Sequence, residues 1–271
     1  MNDTLYHYID PGFNHTQVSN YTLLLLLNPV SFSLAVMHGQ KLMVWRKSAL
    51  LSELNQPGEV QEVLGFAFKN VITGIRSAHF TLVPNELFDN NSVTDVARYL
   101  NVHTTDTVFA QPLNADNHIV FKINEAVTMA AARYDLPKAL FGAAGWLQAI
   151  ATNNPLASQL YVNLTDGICE VAYFKQGKLH LYNTFAFTHE DELAYYTIFV
   201  CQQLNLEVST VTVILSGDVE PGDNRYHNLL GNFFNAVELN NIVVANIPET
   251  MPKHQLLALT ALTQCASLAD A

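Results

Sequence analysis

The chain has 271 residues, 49% of them hydrophobic and only 14% charged, with a formal net charge of -11 from 24 acidic and 13 basic side chains. The longest basic run is Arg46-Lys47, so the patch that displaces counterions from nucleic acid is missing and nucleic acid is excluded as a partner. So much apolar sequence can fill two linked cores, and a surface so poor in charge leaves room for a face covered by another protein.

Compartment follows from what the sequence lacks. The opening MNDTLYHYIDPGFNHTQ carries neither a cationic nor an apolar signal segment, and the apolar run Leu23 to Leu27 is far short of the about 20 residues that span a bilayer. Cys169, Cys201 and Cys265 are odd in number and widely spaced, which suits reduced thiols. A cytoplasmic location without direct membrane insertion is expected.

In chain order, residues 1–20 form a polar, irregular arm with a turn at Pro11-Gly12. Strands are expected at Tyr21 to Leu27, Val30 to His38 and Lys41 to Lys47, followed by the breaker Gln56-Pro57-Gly58. Val60, Val63, Leu64, Ala67 and Val71 recur at helical spacing and predict a helix over Glu59 to Val71, and Ala78 to Val83 reads as a buried fourth strand ended by Pro84. Ser92 is the expected cap of a helix reaching Leu100. Thr107 to Pro112 and His118 to Ile123 predict a hairpin, Asn124 caps a helix over Glu125 to Tyr134, Lys138 to Gly142 reads as a strand, and Ala143 to Ala151 as a helix. Asn153-Asn154-Pro155 marks the boundary between a first domain, 21–155, and a second, 156–271.

The second half repeats the order. Gln159 to Leu164, Ile168 to Phe174 and Lys178 to Phe185 predict a three-stranded meander with turns at Thr165-Asp166-Gly167 and Gln176-Gly177. Laying Lys41-Leu42 on Lys178-Leu179 gives an ungapped match to the first meander at a constant offset of 137 residues. A helix follows over Glu190 to Leu204, with Thr188 as its expected cap and Asp191 three residues on. Then come a buried strand, Thr210 to Ser216, matched to His79 to Val83, a helix over Arg225 to Asn235, a strand over Val237 to Val244 and a closing helix over Pro252 to Ser267.

Two copies of strand, strand, strand, helix, strand, helix resemble the actin-like ATPase superfamily, the fold shared by sugar kinases, chaperones and actin. The stretch Tyr161 to Phe185, YVNLTDGICEVAYFKQGKLHLYNTF, is most similar to the bacterial actin-like proteins of pilus assembly, cell division and type II secretion, and to an uncharacterised bacterial family of that fold. The resemblance implies an α/β protein of duplicated, ribonuclease H-like architecture, with two mixed sheets flanked by helices around a cleft. It places the nucleotide-cleft positions on Asn28, Ser31 and Ser33 in the first half, and on Asn163, Thr165, Asp166, Gly167, Ser216, Gly217 and Asp218 in the second.

The chemistry at those positions departs from the superfamily. Its Asp, Gly and Thr/Ser-rich turn, whose amides hold ATP phosphates, falls on Asn163 to Val171, where only Gly167 and the flanking aliphatics keep their character. Asn163 stands where the superfamily's Asp orients a metal-bound water, and Asp166 brings negative charge to a phosphate position. In the first half the turn Asn28-Pro29-Val30-Ser31 has no Gly, and Pro29 removes a donor. Of the Gly-Gly turn that receives adenosine, only Gly217 remains.

Elsewhere, ten scattered histidines show no pair at ligand spacing, Cys169 reads as a small buried hydrophobe, and His189-Glu190-Asp191-Glu192 reads as a helix start. A catalytically degenerate scaffold or adaptor is therefore expected, with a protein partner, room for a homodimer, and ATP with magnesium disfavoured. An atypical ATPase or a small-metabolite kinase on the same fold is the alternative.

Overall fold

The computed structural model describes residues 7–56, 61–220, 222 and 224–265. The expected helix start at Glu59 and the end of the closing helix at Ser267 lie outside the described residues. The chain divides into two compact units, Met1–Gln148 with Ala258–Ala271, and Ala149–Leu257.

In the first unit the expected irregular arm contributes β1 (Tyr8–Ile9) to a sheet, paired with the strand that closes the first meander. Asp10 follows it, and its carboxylate meets the Lys41 ammonium at 2.8 Å. The meander is β2 (Thr22–Leu27), β3 (Ser31–His38) and β4 (Lys41–Leu50). The continuous leucine run of β2 suits a strand flanked on both edges and covered on both faces, and Leu24 and Leu25 are wholly buried.

The fourth strand of this sheet is not Ala78 to Val83 but β5 (Asn70–Ile75), parallel to β2 with Ile75 opposite Leu27. The helical spacing that reached Val71 yields only α1 (Gln61–Leu64). The β-branched set Val71, Ile72, Thr73 and Ile75 fits a central strand, and the Lys69 N–H donates to the Tyr21 carbonyl at 2.9 Å to start the ladder. β6 (Phe80–Pro84) instead joins a separate three-stranded sheet in the order β6-β8-β7, with β7 (Thr107–Pro112) and β8 (Asn117–Ile123) forming the expected hairpin. His79 to Val83 therefore does not correspond to Thr210 to Ser216; the strand parallel to β2 is β5.

Between β6 and β7 lies α2 (Val93–Ala97), continued by a 3-10 turn to Leu100, with Ser92 at its N-cap position as expected although the side chain makes no cap bond; Asp89 caps the 3-10 turn that precedes it. The Asn91 N–H donates to Asp89 Oδ1 at 3.0 Å, and the Ser92 hydroxyl donates back to the Asp89 carbonyl at 2.8 Å. Asn124 caps α3 (Glu125–Ala131) as expected, accepting from the Val127 N–H at 3.0 Å; the helix stops short of Tyr134. β9 (Leu140–Phe141) completes the six-stranded order β1-β4-β3-β2-β5-β9, and α4 (Ala144–Thr152) follows. A Cβ on Gly145 would stand 2.5 Å from the Ala261 backbone, so α4 rests directly on the C-terminal 3-10 turn Ala261–Gln264. That close approach explains why residues from Ala258 group with the first unit. The division between units falls within α4 and not at Asn153-Asn154-Pro155.

The second unit holds the five-stranded sheet β12-β11-β10-β13-β14, built from β10 (Gln159–Thr165), β11 (Ile168–Lys175), β12 (Lys178–Ala186), β13 (Thr212–Gly217) and β14 (Ala236–Leu239). β13 runs parallel to β10. The meander has the register of the first one. Leu27 pairs with Phe32 and Leu164 with Cys169, Ala35 with Trp45 and Ala172 with Tyr182, and a bulge interrupts Val36/Met37 and Tyr173/Phe174 alike.

One sheet face buries Leu160, Val162, Leu164 and Val171 against Leu193, Val200 and Cys201 of α5 (Glu190–Gln203). The helix is capped at His189 rather than Thr188, because the Glu192 carboxylate reaches back to the N–H groups of Thr188 and His189 at 2.6 and 3.1 Å. These bonds, the Thr188 N–H first, hold the Glu192 carboxyl below its usual range. α6 (Arg225–Gly231) and α7 (Lys253–Thr260) are both shorter than their sequence patterns suggest, and so is β14.

Candidate functional site

The second-unit candidates come together at one end of the β10–β11 hairpin. Asp166 (φ 49°) and Gly167 (φ 75°) are both left-handed, the backbone that a two-residue hairpin turn requires. β13 ends beside this turn: Asn163 pairs with Ser216 and Leu164 with Gly217. Gly217 has φ 80°, and a Cβ on it would lie 2.1 Å from the Leu164 carbonyl oxygen, so no other residue fits there. The backbone then turns so that the Asp218 N–H donates to the Leu164 carbonyl at 2.7 Å, while Asp218 Oδ2 accepts the Asp166 N–H at 3.2 Å. The turn amide thus points at a carboxylate of the same chain. The Thr165 hydroxyl donates to the Leu164 carbonyl at 2.7 Å.

Asn163 lies beneath the turn, wholly buried, with its Nδ2 donating to Glu170 Oε2 on the neighbouring strand. Glu170 Oε1 accepts the Tyr182 hydroxyl at 2.8 Å. On the other side Ser216, also wholly buried, accepts from Asn240 Nδ2 at 3.1 Å. A buried polar row of Tyr182, Glu170, Asn163, Ser216 and Asn240 therefore crosses the sheet on the face opposite the α5 core. Hydrogen bonds to a buried carboxylate stabilise by roughly 1.5–3 kcal/mol each, because the charge would otherwise be stranded. Asn163 Oδ1 meets no hydrogen-bond donor among the described residues, and it would stand 2.7 Å from a Cβ on Gly217.

Tyr182 and Asn240 lie outside the stretch matched to the superfamily turn, and Glu170 lies inside it without being named as a cleft position. The available signal was a carboxylate in the otherwise apolar run Ile168 to Phe174, at a position whose neighbours on both sides are buried.

The first-unit candidates are a smaller set. The Asn28 N–H donates to the Ser31 carbonyl at 2.8 Å and its Nδ2 to the Ser31 hydroxyl at 3.1 Å, closing the β2–β3 turn over Pro29-Val30. Ser33 stands apart from that turn, accepting the Ser48 N–H at 3.2 Å where the β3–β4 pairing is irregular. No group of three or more His, Cys, Asp or Glu side chains suited to a metal ion occurs among the described residues. No described helix is long and apolar enough to cross a membrane.

A meander whose first strand is joined in parallel by a fourth, in each of two units and with flanking helices, is the actin-like ATPase fold. A protein of Bacteroides thetaiotaomicron with that fold and unknown function aligns with a TM-score of 0.71 at 21% identity, over 93% of this chain and 98% of its own. The pilus-biogenesis protein solved as the PilM-PilN complex aligns with a TM-score of 0.56 at 14% identity, over 92% of this chain and 97% of its own. Residues 10–237 match the family model described as "Protein of unknown function (DUF3822)", and the chain belongs to that family. No curated protein matches the sequence.

Proposed function

We propose that the chain is a catalytically silent actin-like protein that works in the cytoplasm as a scaffold or adaptor for a protein partner. One contact carries the silence: the amide of Asp166, where the superfamily turn offers an N–H to a phosphate oxygen, donates instead to the Asp218 carboxylate. A triphosphate there would have to displace one carboxylate and approach a second, Asp166 itself. A carboxylate about 4 Å from a phosphate oxygen costs on the order of 4 kcal/mol at an effective dielectric of 20, or about three decades of affinity. Asn163 is turned inward onto Glu170 and cannot orient a metal-bound water, and Pro29 offers no N–H in the first-unit turn. The residues present do not fit a nucleoside triphosphate and its magnesium.

The adaptor half of the reading draws on the PilM-PilN structure, in which a protein of this fold is bound to another protein. The face offered here is on α5, where Tyr195 is 63% exposed, Phe199 stacks on it at 6.1 Å, and Tyr196 stacks on Phe185 at 4.7 Å. Aromatic side chains of this kind are favoured anchors at protein interfaces. The common register of the two meanders further supports an origin by internal duplication. Affinity capture from native lysate, repeated with Tyr195→Glu and Phe199→Glu, tests the proposal. A stoichiometric partner that the double variant loses is expected; a clean monomer that returns no partner would overturn it.

A further inference from the structure

A sheet edge is a row of backbone donors and acceptors that another strand can continue, and folded chains blunt such edges with short strands, prolines or charges. Among the described strands that end the three sheets, β1 and β9 have two residues each, β14 has four, and β6 and β7 close on Pro84 and Pro112. β12 is different: it runs nine residues without proline, and Lys178 at its first position is its one charged side chain. A bulge at His180 lies near its start and leaves residues 181–186 in unbroken register with β11. No described strand pairs with it on the side away from β11. The Phe187 N–H donates to the Gly167 carbonyl at 2.8 Å, and the antiparallel ladder alternates from there, so Ala186, Thr184 and Tyr182 turn their backbone groups to the open side. The Thr184 N–H donates to Asn183 Oδ1 at 2.9 Å in an exposed bond, the local substitute an edge donor takes where no strand supplies a carbonyl.

The flank of α5 above this edge is aromatic. Tyr196 stacks on Phe185 of β12, Tyr195 packs edge-on against Tyr196 at 5.5 Å, and Phe199 stacks on Tyr195. α6 packs against α5 and β14, on the side away from β12. Antiparallel pairing of two identical edges has its two-fold axis normal to the sheet, which sets both α5 helices side by side on one face. With Thr184 on the axis, the two copies exchange N–H···O=C bonds at Thr184, and Tyr182 of each pairs with Ala186 of the other. The same operation turns the two Tyr195–Phe199 rows toward each other. Lys178 and Glu190 are equally far from Thr184 along the chain, so the lysine end of each strand meets the Glu190-Asp191 helix start of the other copy, and no like charges face one another. One self-complementary contact therefore continues the open ladder, covers the aromatic row and pairs opposite charges. We propose that the chain forms a two-fold homodimer through β12, with one sheet running continuously across both copies. The proposal rests on the α5 face of the adaptor reading and names a second copy of this chain as the protein that covers it.

Sedimentation velocity of the full chain, with amide exchange read by mass spectrometry, tests the proposal. A species of twice the chain mass is expected, with a dissociation constant of about 10 μM or tighter. Exchange over residues 182–186 should slow about tenfold as the concentration is raised through that value, while exchange over β2 stays constant. Thr184→Pro removes an N–H that the β11 ladder does not use, so this variant should keep the wild-type circular dichroism and sediment as a monomer. The exchange comparison needs no variant and decides the matter should Thr184→Pro fail to fold. A wild-type chain that is still monomeric at about 100 μM would overturn the homodimer; if that monomer nevertheless captures a different protein through Tyr195 and Phe199, the adaptor reading stands without it. A dimer whose exchange over 182–186 ignores concentration, or one that a folded Thr184→Pro variant still forms, would equally overturn the assignment to β12.

Discussion

Replacing Asn163 by aspartate restores the residue type that the superfamily uses at this position, yet it should damage the protein rather than revive it. The Asn163 amide donates to Glu170 Oε2 in a wholly buried setting, so Asn163→Asp sets two carboxyl groups within hydrogen-bond distance in place of a donor and an acceptor. Two carboxylates at such a distance cannot both be ionised, and the new carboxyl keeps a proton that it loses in the unfolded chain above about pH 4. Its folded pKa is thus raised, so the folded state binds the extra proton and stability falls as pH rises from about 4 toward that folded value. The slope is about 1.4 kcal/mol per pH unit, so the penalty is about 1.4 kcal/mol at pH 5 and about 4 kcal/mol at pH 7. Urea denaturation of wild type and variant at both pH values measures it directly. The gap between the two proteins should widen by roughly 2–3 kcal/mol from pH 5 to pH 7, and Glu170→Gln in the same chain should remove most of that widening. An equal gap at the two pH values would refute the arrangement of Asn163 on Glu170.

Other outcomes follow from single contacts. Gly217→Ala places a Cβ against the Leu164 carbonyl at a left-handed φ and should cost on the order of 3 kcal/mol, seen as a lower melting temperature without change in secondary structure. Burial raises the thiol pKa of Cys201 and Cys265 to about 11 and that of Cys169 further. All three should therefore resist alkylation at pH 8 in the native chain and react fully in urea; rapid native labelling of any one would contradict its burial. The Lys41 ammonium holds the Asp10 carboxyl below its usual range, so this pair stabilises above the unfolded carboxyl pKa and loses that contribution as pH falls through the lower folded value. Lys41→Met should accordingly lower stability at pH 7 and leave it almost unchanged at pH 2; equal losses at both would refute the ion pair.

Both meanders were legible because strand periodicity, turn residues and the 137-residue match all pointed the same way. The fourth strand of the first half was not. Val63, Leu64, Ala67 and Val71 fit a helix as far as local spacing can tell, and only pairing with the leucine run of β2 decides for a strand. The cap of α5 was misplaced by one residue for a related reason. Thr188 has the right chemistry, but His189 stands at the cap position and the Glu192 carboxylate reaches back to the Thr188 and His189 amides. At the site, the loss of the superfamily's residue types was readable position by position. The replacement was not: neither the Asp218 contact with the Asp166 amide nor the Glu170 contact with Asn163 can be inferred before the register of β10, β11 and β13 is known. Asp218 is an ordinary loop residue in the sequence and becomes informative only beside Gly217 at the end of a strand parallel to β10.

The measurement closest to the heart of the proposed function is calorimetric titration of the full chain with Mg-ATP. With the Asp166 amide bonded to Asp218 and no N–H at Pro29, no saturable binding is expected below about 1 mM nucleotide. A dissociation constant in the low micromolar range would contradict a silent turn and return the chain to the nucleotide-binding members of its fold.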